Sequence, residues 1–179
     1  SWSRFLQHLK ARGLQSPKLI ISDAHQGLQK AIQREFIGTS WQRCNVHFKR
    51  NIMDKLPRKD SIEIRTMIKR VFEAVTVEDI RKFKDELMEQ YGGNPKYEKA
   101  LMILDEGFED TIQYMNFPEK IRKHIRSTNS LERLNQEVRR RETVLRIFPN
   151  TQSAFRLVGA VLMEYQETKY NKRKTLSGK

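Results

Sequence analysis

The 179-residue sequence predicts an α+β chain that is mostly helical. Only two segments read as strands, Lys18–Ser22 with its Leu-Ile-Ile run and Ser40–Val46. Most of the rest repeats apolar residues at the three- and four-residue spacing of a helix face. The formal charge of +13 is also unevenly placed. Residues 1–57 carry ten Lys/Arg against three Asp/Glu, residues 58–117 ten against thirteen, and residues 118–179 fifteen against six. The acidic middle is therefore expected to be an all-helical insertion facing away from a polyanion that both basic flanks line.

In chain order, residues 2–12 form a helix with Phe5, Leu6 and Leu9 on one face, closed by Gly13 with Pro17 beyond. The first strand follows, then a helix over Gly27–Phe36, the second strand, and a helix over His47–Leu56 that runs to Pro57. Three helices fill the middle. Their faces are Ile64, Ile68, Val71, Phe72 and Val75; Ile80, Phe83, Leu87 and Tyr91; and Tyr97, Leu101, Leu104 and Phe108. Gly92-Gly93-Asn94-Pro95 is a turn and Phe117-Pro118 a boundary. A helix over Ser130–Arg141 should anchor through Leu131, Leu134 and Val138. After Phe148-Pro149-Asn150, a last helix over Gln152–Thr168 should turn Phe155, Val158, Val161, Leu162 and Tyr165 inward, with a frayed basic tail from Lys169. Two strands are too few for an independently stable sheet, and the first residue is Ser1. The rest of a sheet is thus expected from a longer chain or a partner.

No apolar run approaches the roughly 20 residues of a membrane span, and no segment has signal-peptide character. The lone Cys44 cannot form an internal disulfide, which fits a reducing compartment. The expectation is a soluble intracellular protein whose polyanionic partner is nucleic acid as the first candidate and an anionic membrane surface as the second.

Two carboxylates stand out. Asp23 closes the first strand, where open α/β arrangements collect ligands, and could hold a divalent ion or only cap the next helix. Glu132 lies with Asn135, Gln136 and Arg139 on a polar stripe, where it could bind a metal or complete a capping box with Asn129. The run Arg139-Arg140-Arg141 reads equally as a solvated face or as phosphate ligands. Cys44-x-x-His47 is too small a donor set for structural zinc, because His8, His25 and His124 are scattered. Cys44 is expected to be a buried thiol, and His47 to orient a carboxylate or touch a phosphate.

Four stretches in order resemble the Mutator-type transposases of bacterial insertion sequences: residues 22–28 (SDAHQGL), 41–51 (WQRCNVHFKRN), 128–141 (TNSLERLNQEVRRR) and 148–160 (FPNTQSAFRLVGA). The resemblance covers nearly this whole chain but only about the C-terminal half of a family member. It implies a partial RNase H-like fold divided into residues 1–57 (core), 58–125 (helical insertion) and 126–179 (C-terminal core). It also implies a DDE triad in which Asp23 is the second aspartate and Glu132 the glutamate, both metal ligands and catalytic. The first aspartate would lie upstream of Ser1. Cys44 and His47 match the family's Cys-x-x-His motif, and Asn129 and Asn135 fall in its Asn-x-x-Glu-Arg-x-Asn motif. Two Mg²⁺ or Mn²⁺ ions would serve cleavage of transposon ends and strand transfer to target DNA. Arg133, Arg139, Arg140 and Arg141 would bind phosphates. The implied partner is double-stranded DNA, the implied state a homo-oligomer at full length, and the implied place the bacterial cytoplasm at the nucleoid. With one ligand missing, this chain by itself is expected not to cleave. The alternatives are a non-catalytic DNA-binding remnant of a decayed element and, third, a helical protein-interaction module built on residues 58–117.

Overall fold

A computed structural model describes the backbone of residues 1–59, 61–145 and 147–177, with side chains except at 145 and 169–177. The described residues are mostly helical around one two-stranded parallel sheet. The order is α1 (Trp2–Ala11), β1 (Leu19–Ser22), α2 (Gln26–Glu35), β2 (Ser40–Arg43), α3 (Asn45–Met53), α4 (Ile62–Glu73), α5 (Val77–Tyr91), α6 (Glu98–Thr111), a 3-10 turn (Gln113–Asn116), α7 (Glu119–Ile125), α8 (Asn129–Leu145) and α9 (Thr151–Ser177). By compactness the chain divides into two units, Ser1–Thr128 and Asn129–Lys179.

In the first unit, α1 stops where expected. Gly13 takes φ +97°, which a side chain would resist, and Leu14 N–H donates back to the Leu9 carbonyl at 3.0 Å. β1 and β2 pair with Leu19 opposite Ser40 and Ser22 opposite Arg43. Their connection is α2, the crossover that parallel strands require. Leu6, Ala31, Ile32 and Phe36 form a small core, with Ile20 and Trp41 of the sheet packed against it. The larger core joins Phe48 and Ile52 of α3 to Ile64, Ile68 and Val71 of α4, Leu87 of α5, and Leu104 and Phe108 of α6.

One polar side chain links the sheet to that larger core. Gln42 on β2 is fully buried. Its amide donates to the Thr111 carbonyl at 2.8 Å and to the Arg43 carbonyl at 2.6 Å, and its oxygen accepts from Tyr114 N–H at 2.8 Å. The end of α6 and the turn after it are thereby fixed to β2.

Several sequence expectations are corrected. β2 ends at Arg43, not Val46, because Asn45 N–H bonds the Arg126 carbonyl at 3.0 Å instead of a neighbouring strand. Val75 is 63 % exposed, since α4 stops at Glu73 and Ala74 turns extended. A short helix, α7, which the periodicity does not mark out, lies between the Phe117-Pro118 boundary and α8, inside the stretch read as a helical insertion; it starts after Pro118, whose fixed φ suits a helix entrance. In the second unit Leu131, Phe155 and Leu162 are exposed where anchoring was expected, whereas Val161 is buried. Helical period fixes which residues share a stripe, but it does not fix how much of the stripe a neighbour covers. α9 continues to Ser177 instead of ending near Thr168, as no proline follows Pro149 to stop it.

Replacing Gln42 by Ala takes the side-chain partner from three groups, the buried Thr111 carbonyl and Tyr114 N–H and the part-buried Arg43 carbonyl. At ~1 kcal/mol or more for each, the loss should be about 3 kcal/mol. Thermal unfolding followed by circular dichroism should show a midpoint lower by roughly 10 °C; a shift of only a degree or two would remove Gln42 from its linking role.

Candidate functional site

The site is built where β1 and β2 end side by side. Ser22 and Arg43 are register partners, so Asp23 leaves the first strand next to the exit of the second. Asp23 Oδ1 lies 2.6 Å from His47 Nδ1, and the Asp23 side chain stays 60 % exposed. The capping role open to Asp23 belongs instead to His25, whose Nδ1 accepts from Leu28 N–H at 3.2 Å at the start of α2. The Asp23 carboxylate is thus held from one side by an imidazole on α3 and is not spent on a helix end.

Cys44 is fully buried directly after β2. Its Sγ accepts from both Thr128 N–H at 3.4 Å and Thr128 Oγ1 at 3.3 Å. With the Asn45–Arg126 bond, this fixes the segment just before α8 to the end of β2. The Cys-x-x-His motif therefore does two separate jobs: the cysteine holds Thr128, and the histidine holds Asp23.

Donor atoms of Asp23, Cys44 and His47 lie within 4.8 Å of one another. Their chemistry separates them. A hard divalent ion such as Mg²⁺ takes oxygen, whereas thiol and imidazole suit softer ions. Of these three Asp23 alone offers a carboxylate, so the trio fits one ligand of a magnesium-type centre and not a full set. A cavity of about 220 Å³ opens here, lined by Asp23, Arg43, His47 and Asn51 among others.

Arg43 was assigned no role from sequence. Its guanidinium stacks over the Phe48 ring at 4.2 Å. Burial lowers its pKa from the ordinary value, opposed by the charges of Asp110 and Asp23. Burial also raises that of Asp110, against the pull of Arg43, with Glu109 adding to the rise. A glycine allows the arrangement: a methyl group at Gly107 on α6 would overlap Arg43 Nη1 and the Phe48 ring. The usable sequence signal was an arginine closing a strand beside the Cys-x-x-His motif, but its Gly107 cradle lies 64 positions away.

The second unit carries the remaining sequence-selected residues on α8. Asn129 opens the helix, Glu132 sits in its first turn and is partly exposed, and Arg133, Asn135 and Arg139 are exposed. Arg140 and Arg141 are engaged within the unit. Arg140 forks onto Glu137 at 2.7 and 2.8 Å, and Arg141 reaches Glu137 at 2.9 Å and Glu164 of α9 at 3.0 Å. Hydrogen bonds from Arg140 and then Arg141 hold the Glu137 pKa down at about 2 from 4.5.

The profile of a family described as "Transposase, Mutator family" matches residues 1–171. The chain belongs to the Mutator family of transposases. It is similar to the transposase for insertion sequence element IS256 in transposon Tn4001 from Staphylococcus aureus, 48 % identical over 99 % of this chain and 45 % of the relative. It is also similar to the transposases for ISRM5 from Rhizobium meliloti (40 % identical over 93 % of this chain and 42 % of the relative) and for IS1081 from Mycobacterium tuberculosis (36 % over 93 % and 40 %). The chain spans a little under half the length of these curated relatives. Among the described residues no helix is long and apolar enough to cross a membrane.

The Glu137 pairing gives a pH prediction. Its folded pKa lies below the unfolded value, so the contribution is complete above about 4.5 and is lost as pH falls toward about 2. The group is solvent-accessible, so the stability effect is small. The clearer readout is the double variant Glu137→Gln/Glu164→Gln at neutral pH, which releases Arg140 and Arg141. Salt-dependent DNA affinity should rise severalfold in fluorescence anisotropy; an unchanged or weaker affinity would take these two arginines out of phosphate binding.

Proposed function

We propose that this chain carries part of the catalytic centre of an insertion-sequence transposase, with Asp23 and Glu132 as metal-binding carboxylates. The observation that carries the reading is the Asp23 carboxylate at the end of β1, held by His47 while His25 performs the helix capping. Family membership supports it, and so does the oxygen chemistry of the two acids. The proposed fold is a partial RNase H-like core from residues 1–57 and 126–179, with 58–125 as its helical insertion. Two Mg²⁺ or Mn²⁺ ions, when bound, supply charge neutralisation and nucleophile activation for displacement at phosphorus.

The residues of this chain have distinct tasks in that chemistry. Asp23 and Glu132 each offer carboxylate oxygen. His47 fixes one Asp23 oxygen, which limits the carboxylate to a few orientations and lowers the cost of ordering it on binding. Asn129 and Asn135 support the face that carries Glu132. Arg133, Arg139, Arg140 and Arg141 bind backbone phosphates, Arg140 only after exchanging Glu137, and Arg141 only after exchanging Glu137 and Glu164, for a phosphate. The substrates are transposon-end phosphodiesters and target DNA. A third carboxylate completes the set from outside these 179 residues, so this chain by itself binds DNA without cutting it.

Mn²⁺ binding followed by electron paramagnetic resonance tests the assignment. Asp23→Asn and Glu132→Gln should each weaken binding about tenfold or more. If neither does, the metal centre is lost; if only Asp23→Asn does, Glu132 drops out. Incubated with supercoiled plasmid and Mg²⁺ or Mn²⁺, the chain should give no nicking, whereas nicking abolished by Glu132→Ala would refute the need for a further ligand. DNA affinity should fall steeply with salt, because phosphate contacts release counterions. A protein that binds DNA but no Mn²⁺ would match the non-catalytic remnant.

A further inference from the structure

We propose that Arg43 is a phosphate-binding residue, its guanidinium receiving one DNA backbone phosphodiester at the cavity beside Asp23. The proposal deepens the DNA-processing reading above and rests on it for the identity of the partner.

The geometry is that of a prepared anion site. Arg43 closes β2, the more rigid kind of element on which to mount a contact, and is held from three directions. Phe48 lies under its guanidinium face at 4.2 Å, Gly107 leaves the space its Nη1 occupies, and the backbone is tied through the Gln42–Arg43 bond. Among the described residues its side chain makes no hydrogen bond, and Asp110 and Asp23 act on it only through their charge. A guanidinium carries five N–H donors in a flat fork, matched to paired phosphate oxygens. Here the face is stacked and the donor edge is unmet. A half-buried edge without acceptors is unfavourable unless a ligand supplies them.

Charge and size define the ligand. The cavity, about 220 Å³, is below the ~300–1,000 Å³ of a small-molecule pocket. It suits one charged group on a larger body. Asp23 on its rim would repel a free anion, and a divalent ion on Asp23 would turn that repulsion into attraction. Arg43 would then meet the phosphodiester while Asp23 would hold the cation that offsets its own charge.

The experiment measures the slope of log affinity against log salt for this 179-residue chain on a duplex oligonucleotide, in chelator. An Asp23→Asn background removes the rim carboxylate. In that background Arg43→Gln and Arg43→Ala should each make the slope shallower by about 0.9, the value of one duplex phosphate contact. Arg43→Lys should keep the slope but weaken binding, since the fork is lost. The shift should be the same on two unrelated sequences. Arg70→Ala is the matched control, as Arg70 also stacks on an aromatic ring, Phe83 at 3.8 Å, but on the acidic segment; its slope should not change. Thermal melts confirm that each variant is folded, and Arg43→Lys against Arg43→Gln decides the question if the alanine variant is not. An unchanged slope in Arg43→Gln overturns the proposal, as does an equal change in Arg70→Ala. Because no metal is present, a slope change together with Mn²⁺ binding unaltered in both Asp23→Asn and Glu132→Gln would keep the phosphate site and remove the metal centre. Absence of salt-dependent DNA binding would end both.

Discussion

The sheet has two short strands, and a sheet that small does not hold itself. Its order depends on the buried Gln42 amide. From the middle of β2 it bonds the end of α6 and the turn that follows, so the strand is fixed from the helical side by hydrogen bonds that water cannot replace. The apolar contacts of Ile20 and Trp41 hold the opposite side. A hydrocarbon at position 42 would fill the space but leave an N–H and two carbonyls unmet. This explains why a polar residue occupies the most enclosed position of the strand.

The functional corner follows from that fixation. Four of the next five residues after Gln42 are each committed differently. Arg43 stacks on Phe48, Cys44 accepts from Thr128, Asn45 binds the Arg126 carbonyl, and His47 reaches Asp23. The strand-to-helix turn makes this possible, because successive side chains leave it in different directions. One short stretch thereby gathers the end of β1, the acidic segment's α6 and the segment leading into α8. A displacement of β2 would disturb all of them together.

Charge is organised on the same principle of use against neutralisation. On α8 and α9, two arginines are already satisfied by Glu137 and Glu164, whereas Arg133 and Arg139 are exposed. A count of cations therefore overstates what α8 offers to a phosphate backbone unless an acid is displaced. Arg43 is the opposite case, a single cation whose surroundings leave its donor edge unmet.

The sequence by itself determined the helical content, the two strands, Gly13 as the stop of α1, the boundary at Pro118, and the motifs that place the chain in its family. These are local properties: period, turn chemistry and spacing are written in neighbouring residues. It also singled out Asp23, Cys44 and His47 together, though not their division of labour. Only the tertiary structure decided that His25 and not Asp23 caps α2, that Cys44 holds Thr128, that Gln42 is buried, and that Gly107 makes room for Arg43. The exposure of Leu131, Phe155 and Leu162 was decided there as well. Each of these depends on a partner tens of positions away, or on how much of a face a neighbour covers, and neither is encoded in the local pattern of a chain.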